Sequence, residues 1–227
     1  MHDVENPSEG FDPRLTPRTN PLDAQAEQIL HNESLLVREL THRIANDWTN
    51  AISLISIAAH QSNCPDVKSV LNDLSRQLLR RAELMRALQI PNSAAPLDAA
   101  EYLERVCSAV SRSRLQEQNI HLVFTSESLP TAANSCLRLG MILCELLTNS
   151  ARHAYPDRSG GTIAVSLRRI GHLAECRVTD DGCGHSGQKQ SSGYGLGIAQ
   201  ELIASLGGSI QHFFGPSGST SILQFPL

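Results

Sequence analysis

The sequence predicts an α + α/β protein: a helical hairpin forming a dimeric four-helix bundle, followed by an α/β sandwich. Three observations carry this. From Leu22 to Leu88 apolar residues recur at spacings of three and four, the period of amphipathic helices. A single proline-containing break, "NCPDVKSV", interrupts that pattern. From Ile120 onward, short alternating segments bounded by Gly and Pro read as strands.

Residues 1–21 are rich in Pro, Asn, Asp, Glu and Ser with few large apolar groups, the composition of a disordered tail. The first helix runs over 22–60, with Leu36, Leu40, Ile44, Trp48, Ile52 and Ile55 on one apolar stripe. Proline is accepted at a helix start and not in its interior, so the second helix begins near Pro65. It carries Val67, Val70, Leu71, Leu74, Leu78, Leu79, Leu84 and Leu88. Neither helix buries its stripe alone, so the hairpin spanning 22–90 is expected to pair with a second copy as a homodimer.

"QIPNSAAPLDA" (89–99) reads as a loop and domain boundary. Beyond it, 97–227 is expected to form the sandwich: a helix over 97–113, a strand over 120–126 and a long helix over 132–154. Strands at 162–169 and 173–179 join through Ile170-Gly171. A glycine-rich loop (182–195) leads into a helix ending near Leu206, and "SIQHFF" pairs with "TSILQF" through "GPSG". Several helices over one face of a largely antiparallel sheet result.

Composition narrows the function. Residues 1–30 hold six acids against Arg14 and Arg18, which accounts for the whole formal charge of −4. The rest is neutral, so no basic footprint for nucleic acid exists. No apolar run reaches the length of a membrane span, and the N-terminus has no secretory pattern. Six cysteines without metal-like spacing read as reduced, buried small groups, which points to the cytoplasm.

Three downstream segments carry chemistry. In "CELLTNSARHAYP" (144–156), Glu145, Asn149, Arg152 and His153 share one polar helix face, opposite Leu143, Leu146, Leu147 and Ala151. In "VTDDGCG" (178–184), Asp180 ends a strand where it could accept from an amino group, and the glycines let a flat ligand approach the backbone. In "SSGYGLGIAQELIASLGG" (191–208) a glycine-rich loop opens a helix, whose free N–H groups favour an anion. Each alone is also an ordinary solvated face, turn or loop. Neither the P-loop nor the dinucleotide-binding glycine pattern fits.

In this order and spacing the segments resemble the N, G1 and G2 boxes of the ATP-binding domain shared by histidine kinases, gyrase-type ATPases and related chaperones. The resemblance spans 97–227, to "GSTSILQFPL", with Ser219 where the family has threonine. It implies ATP and Mg²⁺: Asn149 as the metal-holding residue, Arg152 and His153 at the phosphates, and Asp180 at the adenine amino group. Gly182, Gly184, Gly193, Gly195 and Gly197 would shape the adenine pocket and a short polar lid, "HSGQKQSS".

Such a domain behind a helical hairpin draws attention to "ELTHRIAND" (39–47). At 100° per residue His42 faces away from the Leu40/Ile44/Trp48 stripe and shares its face with Glu39, Asn46, Thr49 and Ser53. The hairpin resembles the dimerisation and phosphotransfer domain of two-component histidine kinases, in the subgroup whose box reads approximately His-Arg-Val-Lys-Asn. Here it reads His42-Arg43-Ile44-Ala45-Asn46. The resemblance implies a sensor-less cytoplasmic kinase that autophosphorylates on His42 and passes the phosphoryl group to a response-regulator receiver aspartate. Glu39 is the nearest carboxylate to take the imidazole proton, and Asn46 is placed to orient a water. Arg43 stands where many histidine kinases put an acid, and Ala45 replaces a lysine. Two other readings stand beside this one. The first is a histidine phosphotransferase of kinase-like fold that does not bind ATP. The second is an anti-sigma-type serine kinase, which the hairpin argues against.

Overall fold

The computed structural model describes residues 21–91, 95–156, 160–184 and 194–227. The chain divides into two units, residues 1–37 and 38–227. Among the described residues the first contributes the opening turns of α1 (Pro21–Gln61). The expected tail at 1–20 lies outside the described residues.

In the second unit α1 runs on to Gln61 and α2 covers Pro65–Leu88, with the proline in the first turn as its missing N–H requires. The Arg81 guanidinium lies 5.9 Å from the Trp48 ring centroid, and Arg86 donates to Thr49 Oγ1 at 2.8 Å, so the two helices touch through their long side chains. Ala45 and Ala59 are buried, while Leu40, Ile44, Leu54, Val70 and Leu74 stay more than 40% exposed. The predicted stripe is thus largely uncovered within one chain.

The end of α2 is tied to the next domain. Arg105 donates to the carbonyls of Ala87 and Gln89 at 3.5 and 3.4 Å, a cation at the negative end of a helix. Tyr102 Oη donates to Leu88 O at 3.0 Å. Gly140 on the facing helix makes room for that ring, because a Cβ there would sit 2.8 Å from the tyrosine oxygen.

The expected helix over 97–113 begins later. Leu97–Asp98 instead forms β1, pairing with β3 (Pro130–Thr131), and α3 covers Ala99–Val110. The chain then relaxes through one π turn (Ser111–Leu115) and a 3-10 turn (Gln116–Gln118) to Asn119, which takes a left-handed φ of 54°. Asp98 caps α3 through Ala100 N at 2.9 Å and also accepts from Leu129 N and Ser128 Oγ at 2.9 and 2.7 Å. Those donors, Leu129 N–H first, hold its carboxyl below the usual range. Its contribution to stability is therefore complete above the unfolded pKa near about 3.9 and is lost as pH falls through the lower folded value. Asp98→Ala is expected to cost about 1–2 kcal/mol in urea unfolding at neutral pH. The difference from wild type should shrink in strong acid.

The remaining elements follow the predicted order: β2 (Ile120–Ser126), α4 (Ala133–His153), β4 (Gly161–Ile170), β5 (Leu173–Asp180), α5 (Tyr194–Ala204), β6 (Ser209–Gly215) and β7 (Gly218–Pro226). The sheet order is β2-β4-β5-β7-β6, antiparallel except for β2 against β4. Helices α3, α4 and α5 pack on β2, β5 and β6 respectively, and Leu103, Leu143 and Leu147 on the helices and Ile163, Leu167, Cys176 and Leu223 on the sheet are all at most 2% exposed. Burial pushes the Cys136 thiol up to about 11 and those of Cys144 and Cys176 up to about 12. All six cysteines are free thiols. Among the described residues, no helix is long and apolar enough to cross a membrane.

Candidate active site

Among the described residues the sheet domain buries two carboxylates, and their partners differ. Glu175 pairs with Arg168 and Arg177 at 2.7 and 3.2 Å and accepts from Gln224 at 3.0 Å. Burial works to raise its pKa, and those donors, Arg168 foremost, outweigh it and hold the carboxyl below the usual range. Its role is structural. Asp180, 4% exposed at the end of β5, has no cation partner among the described residues. Its Oδ1 accepts from the backbone N–H groups of Gly182 and Ser219 at 3.1 and 3.2 Å. Its Oδ2 accepts from the hydroxyls of Ser150, at 3.1 Å, and Ser219. A buried carboxylate met, among the described residues, by neutral donors alone is costly for stability, which points to a functional group.

The second acid of the pair does other work. Asp181 Oδ1 accepts from Thr162 N at 2.8 Å and from the buried Tyr155 hydroxyl at 3.1 Å, fixing the start of β4 to the end of α4. Ser150 and Ser219 are the participants that sequence reading missed as partners of Asp180. They lie 30 and 39 positions from it, so no local pattern reveals them. Gly218 belongs with them: its φ is +130°, and a Cβ there would strike Asp180 O at 1.9 Å.

The glycines of "DDGCG" serve close approach of backbone to backbone. A Cβ on Gly182 would meet Ala154 at 2.4 Å, and one on Gly184, at φ +61°, would meet Gly215 O at 1.6 Å. Cys183 N donates to Ala154 O at 2.8 Å, which docks this loop on the end of α4. Gly197 lies on an exposed part of α5 with open space about its Cα. Gly195 is in the first turn of α5, while Gly193 and the lid segment 185–192 lie outside the described residues.

On α4, Asn149 and Glu145 are half-buried one turn apart, and Asn149 Nδ2 donates to Glu145 Oε1 at 3.0 Å. Arg152 and His153 are exposed in the last turn. A helix C-terminus repels anions, so phosphates at this end would depend on those side chains rather than on the dipole. An acceptor-only buried carboxylate for an amino group, an amide for a hard cation and a cationic helix end form a donor set that fits an adenine nucleotide with Mg²⁺.

On α1, His42 is exposed, as expected, and its Nδ1 lies 3.4 Å from Asn46 Nδ2. Glu39 Oε1 accepts from Arg43 Nε at 2.6 Å, and that bond, with the charge of Arg43, lowers the Glu39 pKa. The structure thus brings His42 and Asn46 together, while the Glu39 carboxylate leans on Arg43.

Comparison with known proteins defines the class first. Residues 135–227 match the family described as "Histidine kinase-, DNA gyrase B-, and HSP90-like ATPase", so the sandwich has the fold of that family. Residues 39–114 match the family described as "Histidine kinase". Together the two matches span most of the hairpin and most of the sheet domain. It is 25% identical over 197 residues to blue-light-activated histidine kinase 2 of Erythrobacter litoralis, covering 83% of this chain and 56% of that one. It is 23% identical over 208 residues to the sensor histidine kinase PdtaS of Mycolicibacterium smegmatis, covering 88% and 41%. The chain thus spans about half the length of these curated relatives. The solved histidine kinase domain of the Erythrobacter litoralis EL346 blue-light-activated histidine kinase shares the fold. Its TM-score is 0.58 at 21% identity, covering 79% of this chain and 96% of that one.

Proposed function

We propose that this chain acts as a cytoplasmic histidine kinase of a two-component system. It autophosphorylates on His42 and passes the phosphoryl group to an aspartate of a response-regulator receiver domain. The observation that carries the reading is Asp180, a buried carboxylate with no cation partner among the described residues, in a chain whose hairpin exposes His42 beside Asn46.

ATP is the substrate. Asp180 accepts from its 6-amino group at Oδ2 as one of the two serine hydroxyls there turns aside, and Arg152 and His153 meet the phosphates from the end of α4. Asn149 would hold Mg²⁺, which would neutralise charge on the phosphate oxygens. In the resting contact Asn46 Nδ2 faces His42 Nδ1; with the Asn46 amide turned so that its oxygen accepts from Nδ1–H, Nε2 of neutral His42 is the open nucleophile. Its lone pair forms the bond to the γ-phosphorus as the bond to the bridging oxygen breaks, and ADP leaves. The ring then sheds the Nδ1 proton. An amide oxygen at Asn46 orients that N–H without taking its proton, so a carboxylate or water must accept it. Glu39 is one turn away, and its bond to Arg43 keeps it ionised while making it a weaker base. After transfer, Asn46 is placed to orient a water at the partner's phosphoaspartate.

The exposed Leu40, Ile44, Leu54, Val70 and Leu74 favour a homodimer in which a second hairpin covers them. No basic surplus suits nucleic acid.

The test is a chase. Chain labelled from γ-labelled ATP, freed of nucleotide and mixed with a receiver domain, should lose its label to the receiver's aspartate. Label that stays on the chain with every receiver of the source organism would contradict the phosphotransfer reading.

A further inference from the structure

We propose that Glu145 is a positioning residue for the metal ion at the nucleotide phosphates: it fixes the Asn149 amide so that its oxygen faces the cation. This rests on the reading of Asn149 as the metal-holding residue. An asparagine side chain is ambiguous at the point that matters. One end is an oxygen that ligates a hard cation, and the other is an NH₂ that repels it. In a helix exposed to water the two ends exchange freely, and the ligand oxygen is neither held nor polarised by a partner.

Glu145 removes that ambiguity. It precedes Asn149 by one turn on the same face of α4, and its Oε1 accepts from Nδ2 at 3.0 Å. A carboxylate has only acceptors, so only the nitrogen end can face it. The oxygen end is then turned the other way, and among the described residues Asn149 Oδ1 accepts no hydrogen bond. Both side chains are half-buried, which shields the bond from water. The backbone beneath them is held by the buried Leu143, Leu146 and Leu147, so the pair cannot drift apart without moving the core. Partners behind a metal ligand that set its orientation are typically worth about 10–100-fold in metal affinity.

Glu145→Gln separates orientation from shape, because glutamine fills the same space and can donate or accept. The measurement is the Kd of a non-hydrolysable ATP analogue for the full chain, by titration calorimetry, with saturating Mg²⁺ and with chelator. The expected result is a Mg²⁺-dependent gain in affinity about 10–100-fold smaller in E145Q than in wild type, with the metal-free Kd unchanged. The unchanged metal-free value also reports an intact fold. In an Asn149→Asp background the ligand carries oxygen at both ends and needs no orienting partner. There E145Q should cause no loss.

If E145Q keeps the wild-type gain, the inference is overturned while the reading of Asn149 stands. An equal loss in the Asn149→Asp background also overturns it, since the Glu145 carboxylate would then act on the metal directly. If wild type itself gains nothing from Mg²⁺, the reading of Asn149 falls and takes the inference with it.

Discussion

His42→Ala should reduce acid-labile labelling from γ-labelled ATP to background, a loss of at least about 1,000-fold, while leaving nucleotide affinity unchanged. The two parts of that expectation come from different regions of the chain. The imidazole is the nucleophile on α1: within "ELTHRIAND" Arg43 has no free lone pair, Thr41 and Asn46 are uncharged, weak nucleophiles, and a phosphoryl group on Glu39 or Asp47 would be an acyl phosphate, lost in alkali where phosphohistidine survives. The groups read as holding ATP lie in the sheet domain and at the end of α4, so removing an exposed imidazole from another helix leaves them intact. The comparison of interest is Glu39→Gln. If Glu39 takes the ring proton, labelling should fall steeply with nucleotide affinity unchanged. A loss of no more than a few-fold would assign the proton to water.

Asp180→Asn is the second large effect, and the hydrogen bonds around the carboxylate say how it arises. The backbone N–H groups of Gly182 and Ser219 both face Oδ1 and cannot turn. An asparagine would therefore keep its oxygen on that side and place NH₂ where Oδ2 stood. The hydroxyls of Ser150 and Ser219 can rotate to accept from it, so the domain should still fold. Adenine fares worse, because its amino group now meets another donor. Unpaired buried groups of this kind support discrimination of several orders of magnitude, and ATP affinity should fall at least about 100-fold. A nucleotide with a 6-oxo group in place of the amino group should lose much less. Equilibrium titration of both nucleotides on wild type and D180N reads the difference, and equal losses for the two would place the base elsewhere.

What was legible in the sequence follows the range of the interactions. Helix stripes and hairpins repeat over a few residues, so α1, α2, α4 and the β4–β5 and β6–β7 pairs were found close to their observed ends. The short ladder of β1 with β3 was not, because it joins two residues to two others more than thirty positions away, and neither segment has a strand pattern. The same distance hid Ser150, Ser219 and Gly218, whose roles exist only through Asp180. Asp180 itself was legible from "TDDGCG", but nothing in that motif separates it from Asp181. The separation comes from where Tyr155 and Thr162 point. Glu39 is the opposite case. Arg43 follows it at the i,i+4 spacing of helix ion pairs, so the competing partner was present in the local pattern.

The central claim is that ATP phosphorylates one histidine. Peptide mapping by mass spectrometry after incubation with Mg²⁺ and ATP, kept at neutral to alkaline pH throughout, tests it most directly. The account predicts a single phosphoryl group on the peptide containing His42, lost on brief acid treatment. A phosphoryl group on any other residue, or none from a chain that demonstrably binds ATP, would contradict it.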